Sequence, residues 1–180
     1  PKLVEELVPK LMTLGEVQRV LQQLLREQVS IRDLGAILEY LVEAAQSSKN
    51  VVHLVETVRQ SLGRGLIHPL LDGEGSLRLL MLEPGLETDL LNTFDAKSAL
   101  LLGDGARTGD MPADFMRRLV ESVKRLTGGA STSALPVLLC PSPARYHVRR
   151  WLEPFLPKVT VLAPVEIPSE IRVRSMGTVG

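Results

Sequence analysis

The stretch Pro136–Leu162, PVLLCPSPARYHVRRWLEPFLPKVTVL, decides the fold of this chain. Its apolar run Pro136–Cys140 predicts a buried strand, and Val159–Leu162 predicts a second one. Between the two runs, Pro143–Phe155 has the apolar spacing of a helix. A strand, a helix and a strand in this order favour parallel strands joined by a right-handed crossover.

The same alternation extends to both sides of this stretch. The apolar run Leu77–Leu82 predicts an earlier strand, and the alternating residues Ile171–Met176 predict a final one. Leu86–Phe94 and Met111–Leu126 have the spacing of helices. Residues 77–180 are therefore predicted to form an α/β subdomain with a small mixed sheet.

Residues 1–70 show helical periodicity without strand-like runs. Leucines recur at a spacing of four at the start, and Thr13 with Glu16 forms the pattern of a capping box. The turn-forming stretch Pro69–Ser76 then predicts a linker. The predicted fold class is thus α+β, with an all-α helical subdomain over 1–70 followed by the α/β subdomain.

Cap residues predict the boundaries of the later helices. Ser30 is predicted to be an N-cap, with Asp33 in the positively polarised first turn of the same helix. Asn50 is predicted to cap the next helix, and Gly63 and Gly65 are predicted to end it.

Composition excludes several classes of protein. The 180 residues are 44% hydrophobic, and 21 Lys+Arg balance 21 Asp+Glu, which argues against disorder and against a nucleic-acid-binding protein. The apolar runs are far shorter than the ~20 residues of a membrane helix. Cys140 is the single cysteine, so no internal disulfide forms, and a reducing compartment is expected.

Two stretches suggest catalytic chemistry only weakly. Cys140 and His147 could form a thiol nucleophile and its base, which leaves a thiol enzyme as an alternative, but a cysteine at the end of an apolar strand is more typical of a core. Gly103–Gly109 resembles a phosphate-binding loop, yet its glycine spacing differs and Asp104 would repel phosphate. The histidines are scattered, so the sequence predicts neither a metal nor a cofactor.

Arginines offer the candidate contact residues. Arg145, Arg149 and Arg150 cluster on the helix of the deciding stretch, and they predict either a solvated helix surface or a contact with an acidic partner or a neighbouring copy. Arg32 and Asp33 are further candidates for contacts with a partner or between copies.

Several segments together resemble a known family. These are LGEVQRVLQQLLR (14–26), VSIRDLGAILEYLVEAA (29–45), LVETVRQSLGR (54–64) and PVLLCPSPARYHVRRWLEPFLPKVTVLAPVEIP (136–168). In this order they resemble the cytoplasmic domain of the FlhA/LcrD family, the large export-gate subunits of flagellar and virulence type III secretion systems.

The resemblance implies a role without catalysis or cofactors. It implies that the full-length protein is embedded in the bacterial inner membrane, and that this chain is a fragment holding the last two of four cytoplasmic subdomains. The partners it implies are a homo-oligomeric, nonameric ring, export chaperone–cargo complexes, the stalk protein of the export ATPase and other export-gate proteins. The flagellar branch is the preferred interpretation, and the virulence injectisome is the alternative.

Overall fold

The computed structural model describes residues 2–94, 113–127, 137–142 and 144–180. The glycine-rich stretch Gly103–Gly109 lies outside the described residues. Within the described part of the chain, no helix combines the length and the apolar character that a membrane crossing requires.

Four helices form the first part of the chain. Their bounds are α1 (Lys2–Leu7), α2 (Leu14–Arg26), α3 (Leu34–Ser47) and α4 (Val51–Ile67). In α2 the buried residues Val17, Val20 and Leu24 recur every three or four positions, which places them on one side of the helix. This side packs with α3 and α4 into a single apolar cluster.

The caps confirm two predicted helix starts and correct the third. The hydroxyl of Thr13 accepts from the backbone N–H of Glu16, and the Glu16 carboxylate accepts from the N–H of Thr13 at 2.7 Å, as in a capping box. Asn50 caps α4. The prediction of Ser30 as N-cap was wrong, because Asp33 is the cap of α3 and accepts from the N–H of Ala36 at 3.2 Å.

The predicted end of α4 is confirmed in part, because the regular helix breaks at Gly63 and a further helical stretch follows. The helix continues past both glycines to Ile67, and it bends at Gly63, where φ is 8° and ψ is −79°. Ile67 is fully buried against the sheet. The burial of this last turn outweighs the local preference for ending at glycine, while Gly63 supplies the bend.

The second part alternates strands and helices. It comprises β1 (Ser76–Leu82), α5 (Pro84–Thr93), α6 (Ala113–Thr127), β2 (Val137–Leu139), α7 (Ala144–Leu152), β3 (Thr160–Leu162) and β4 (Arg172–Val179). Short 3₁₀ turns at His68–Leu70 and Pro164–Glu166 precede β1 and follow β3. The predicted α+β class is confirmed.

The described strands form one sheet in the order β3-β2-β1-β4. Every pair is parallel, so the prediction of a mixed sheet was wrong; each described connection returns the chain to the same end of the sheet. A bulge lies between β1 and β4, where Leu79 pairs with Ser175 but Leu80 pairs with Gly177. Gly177 has φ of 152°, and a Cβ there would lie 2.7 Å from a Leu126 methyl, so only glycine fits.

Both faces of the sheet are covered. Leu80 and Leu82 pack against α5, α6 and α7, whereas Leu77 and Leu79 pack against the end of α4. The two parts of the chain also exchange side chains. Tyr146 of α7 is buried in the helical core, and Ile67 of α4 is buried beside the sheet.

Candidate functional site

Five charged residues meet in the interior between the helical part and the α/β part. Glu27 directly follows α2, Glu56 and Arg59 lie on α4, Arg145 lies on α7, and Glu166 ends the 3₁₀ turn after β3. We call this group the buried ion cluster. It brings one sequence-predicted contact residue, Arg145, together with four residues that the sequence did not single out.

Arg145 joins both carboxylates of the helical part. The residue is 0% exposed, and its Nη1 donates to Glu27 Oε2 at 2.8 Å. Its Nη2 donates to Glu56 Oε1 at 2.5 Å, and Nη1 also donates to the carbonyl of Val161 at 3.1 Å. A residue from α7 is thereby anchored to α2, α4 and β3 at once.

Arg59 makes the reciprocal connection from the helical part. Its Nη1 donates to Glu27 Oε2 at 2.7 Å, and its Nε donates to Glu166 Oε2 at 2.7 Å. Glu166 in turn accepts from the backbone N–H of Ala163 at 2.8 Å, which fixes the turn after β3. Gln23 donates to Glu27 Oε1 at 3.0 Å, so this carboxylate is fully engaged.

The charges of the buried ion cluster stabilise one another. Burial by itself would raise the pKa of Glu27, but Arg145 and Arg59 outweigh it and hold the pKa at about 2. Burial likewise opposes the charged form of Arg145, yet Glu27 and Glu56 raise its pKa well above the ordinary value. Glu27 and Arg145 therefore stay ionised at neutral pH, and neither is poised to exchange a proton.

Such an arrangement acts as a structural connection. Removing one partner of a buried ion pair typically costs about 3–5 kcal/mol, because the remaining charge is left without compensation. Each of the two arginines binds carboxylates that lie on different elements. The cluster therefore couples the position of the sheet to the position of α2 and α4.

The expected exposed basic face of α7 is not formed. Arg145 lies in the cluster, and Arg149 is only 4% exposed and donates through Nη2 to the carbonyls of Arg26 and Pro157. Burial lowers the pKa of Arg149. Arg150 is partly exposed and places its guanidinium 5.9 Å from the ring centroid of Tyr146. Of the three arginines, Arg150 keeps the exposure that a partner contact needs.

The residues of the thiol-enzyme alternative are both buried. Burial raises the pKa of the Cys140 thiol well above its ordinary value, which disfavours the nucleophilic thiolate. The His147 ring stacks on Phe94 with centroids 4.7 Å apart and meets the edge of Tyr146. Their surroundings are those of core residues. In the described part of the chain, no three His, Cys, Asp or Glu side chains form a possible metal site.

Arg32 and Asp33 lie on a groove of about 620 Å³ that is bordered by the α2–α3 loop, α3 and α4. We call it the α3–α4 groove. Its apolar walls include Val29, Tyr40 and Leu66. Arg32 is exposed at its edge, while Asp33 is held by its cap hydrogen bond. The structure thus places Arg32 and Asp33 together at this groove. The three predicted arginines of α7 do not line it.

Sequence reasoning missed most of the buried ion cluster. Glu27 and Arg145 are 118 positions apart, and Arg59 and Glu166 are 107 apart. The one available signal was position, since Arg59 lies one residue after the buried Val58 on α4 and shares its inward side. A single charged residue at such a position suggests a buried pair, but it does not identify the partner.

Comparison with known sequences gives a consistent result over the whole chain. The FHIPEP family model matches residues 1–172. The chain is 36% identical to the flagellar biosynthesis protein FlhA of Yersinia enterocolitica over 100% of its length, and 37% identical to FlhA of Caulobacter vibrioides over 99%. It spans about 25% of the length of these two relatives.

Solved structures share the fold. The protein CdsV of Chlamydia pneumoniae, solved in complex with CdsO, superposes with a TM-score of 0.85 at 29% identity over 100% of this chain and 51% of that one. The nonameric SctV-C of EPEC superposes with a TM-score of 0.81 at 26% identity, over 99% of this chain and 52% of that one. The chain belongs to the FHIPEP family, the family of FlhA, as its resemblance to FlhA/LcrD proteins indicated.

Proposed function

We propose that this chain is a non-enzymatic part of the cytoplasmic domain of a type III export gate. In this role it helps to form a homo-oligomeric ring at the cytoplasmic face of the bacterial inner membrane. The ring receives export chaperone–cargo complexes and the stalk protein of the export ATPase. The observation that carries the proposal is the family match over residues 1–172.

The related structures support the ring and one class of partner. SctV-C of EPEC is a nonamer, and CdsV was solved together with CdsO. We extend a nine-membered ring to this chain by analogy, because the fold is shared over nearly all of its length. We further propose that the ring docks export chaperones, the ATPase stalk and other gate proteins.

We place a contact between neighbouring copies at the α3–α4 groove. Arg32 is exposed and, among the described residues, forms no ion pair, while apolar walls lie beside it. An exposed charge at the edge of an apolar recess resembles the rim of a protein interface. Asp33 contributes by fixing the start of α3, and thus the position of Arg32 next to it.

The buried ion cluster suits the chain to a ring. A closed ring requires every copy to present its two contact surfaces at a fixed angle. The cluster ties the α/β part to the helical part through three buried ion pairs, and a fourth pair, Arg59 with Glu27, lies within the helical part. These contacts limit movement between the two parts. We further propose that residues 1–70 and residues 77–180 form two separate subdomains of this cytoplasmic domain.

A deletion in cells tests whether the protein serves flagellar export or a virulence secretion system. The coding region of this chain is removed from the chromosome, and export of flagellar hook and filament proteins is measured in the culture medium. We expect flagellar export and motility to be lost and to return with the intact gene. Intact flagella with loss of another type III secretion activity would assign the gene to the virulence branch instead.

The ring contact has its own test. The cytoplasmic domain of the full protein carrying Arg32→Glu is compared with the parent by electron microscopy and analytical ultracentrifugation. Arg64→Glu is the control for charge reversal, because Arg64 is 82% exposed, lies outside the groove and makes a surface ion pair with Glu170. We expect Arg32→Glu alone to reduce the ring population. Equal ring formation by all three proteins would remove the groove from the contact.

A further inference from the structure

A second cleft lies where the helical part meets the α/β part. It has a volume of about 350 Å³ and combines residues of α2, of the first turn of α4 and of α7. We call it the junction cleft. Its lining includes Arg19, Gln22, Leu25, Arg26, Val51 and Tyr146. None of these residues lines the α3–α4 groove.

Positive charge surrounds the junction cleft. Arg19 and Arg26 are both exposed on α2, and the partly exposed Arg150 lies over Tyr146 at its wall. Arg26 contacts Glu153 at 3.3 Å, but 52% of its side chain stays exposed. Among the described residues, Arg19 has no ion-pair partner within 4 Å.

A buried arginine, Arg149, adds to the positive charge around the junction cleft. Arg149 donates through Nη2 to the carbonyl of Arg26 at 3.1 Å, and its Nη1 has no hydrogen-bond partner among the described residues. Three carboxylates act on these arginines: Glu153 pairs with Arg26, Glu16 is engaged by Thr13 in the capping box, and Glu27 is paired within the buried ion cluster. Arginines therefore outnumber the carboxylates around the cleft.

The junction cleft also presents an apolar contact. Leu25 is 53% exposed next to Arg26 on α2, and the partly exposed Val51 also lines the cleft. Tyr146 is fully buried, so its ring offers no stacking surface for a nucleic-acid base. Positions 19, 22 and 26 follow one side of α2, and a second helix lying along them would place its side chains at matching intervals.

We propose that the junction cleft binds an acidic amphipathic helix of a partner protein. Carboxylates of that helix pair with Arg19 and Arg26, and an apolar side chain of the same helix covers Leu25. A second copy of this chain in a two-fold arrangement would oppose arginine to arginine, which disfavours self-pairing at this surface. The inference goes beyond the proposed function, because it assigns a surface and a ligand chemistry independently of ring formation.

A peptide titration tests the inference. The probe is a fluorescein-labelled helical peptide with Glu side chains beside a row of Leu side chains, and the control probe has Lys at each Glu position. Anisotropy is measured with the 180-residue chain and with two variants, Arg19→Glu/Arg26→Glu and Arg64→Glu. Arg64 is an exposed arginine outside the cleft. Circular dichroism verifies that each variant is folded.

We expect the Glu peptide to bind the parent and Arg64→Glu equally, and to bind the double variant about tenfold more weakly. Binding should weaken as salt rises from about 0.1 M to about 1 M, where the screening length falls from about 10 Å to about 3 Å. Leu25→Ser should weaken binding at both salt concentrations.

Three outcomes would overturn the inference. The first is equal affinity of the parent and the double variant, and the second is equal binding of the Glu and Lys peptides. The third is a sedimentation change of the unliganded chain on Arg19→Glu/Arg26→Glu, which would make a second copy the occupant. None of these measurements requires ring formation. Failure of this inference can therefore be distinguished from failure of the proposed function.

Discussion

At the scale of single residues, Arg145 shows how burial changes the meaning of a charge. On α7 it follows the pattern of a basic surface helix, but its guanidinium lies 2.8 Å from Glu27 and is fully buried. Its charge is paired with carboxylates inside the molecule. The residue therefore contributes to the stability of the fold and not to the recognition of a partner. Arg150, five positions later, keeps part of its surface exposed.

Replacing Arg145 should be costly. Arg145→Ala leaves Glu27 and Glu56 without one of their cations, and we expect the free energy of unfolding to fall by about 3–5 kcal/mol. Arg150→Ala is the control, with an expected loss of about 1 kcal/mol from its cation–π contact. Urea titration followed by circular dichroism measures both. Equal losses in the two variants would contradict the structural role of Arg145.

Glu27 makes the free energy of unfolding depend on pH in the acidic range. Its pKa is about 2 in the folded chain and about 4.5 as a free side chain, so folding favours the ionised form. The resulting stabilisation is complete above about pH 4.5 and is lost as the pH falls towards 2, with a total on the order of 3 kcal/mol. Urea titrations across this pH range should show a smaller decline for Glu27→Gln than for the parent. Parallel declines would show that other carboxyl groups cause the acid sensitivity.

At the scale of helices and strands, local signals predicted the elements well. The Thr13 capping box, the Asn50 cap and the strand at Ser76–Leu82 depend on neighbouring residues, which the sequence displays directly. The end of α4 depends on the burial of Ile67 against a distant sheet, which no local pattern reveals. Glycine propensity therefore located the break at Gly63 but not the helical stretch that continues to Ile67.

Two residues near the start of α3, Ser30 and Asp33, are candidates for its N-cap. Asp33 accepts from the Ala36 N–H, while Ser30 accepts only a long 3.4 Å bond from the N–H of Arg32. We expect Asp33→Ala to lower the free energy of unfolding by about 0.5–2 kcal/mol, because an N–H at the helix start loses its acceptor. Ser30→Ala should change it by less than about 0.5 kcal/mol. Thermal melts compare the two variants, and a larger loss for Ser30→Ala would reverse the assignment.

At the scale of the whole molecule, long-range contacts decide what the sequence could not show. The order of the secondary-structure elements predicted a helical part and an α/β part. How they are joined depends on pairs such as Arg145 and Glu27, which are 118 positions apart. An arginine on an amphipathic helix looks the same whether it faces water or a distant carboxylate. The candidate site was therefore predicted only at Arg145, and with the wrong environment.

The connection between the two parts can be tested by cutting the chain. A specific protease site inserted between Gly73 and Glu74 lies in an exposed turn before β1, away from the buried ion cluster. After cleavage we expect both pieces to elute together in gel filtration at neutral pH, because the ion pairs of Arg59 with Glu166 and of Arg145 with Glu27, together with the buried Tyr146, hold them.

The same cut chain carrying Arg145→Ala supplies the comparison. Loss of that arginine removes the ion pairs that α7 makes with Glu27 and Glu56, so the pieces should separate at a lower urea concentration than in the parent. Separation of the parent pieces without denaturant would mean that the continuous chain, rather than the interior contacts, holds the two parts in place. The angle between ring contact surfaces would then have to be fixed by the neighbouring copies.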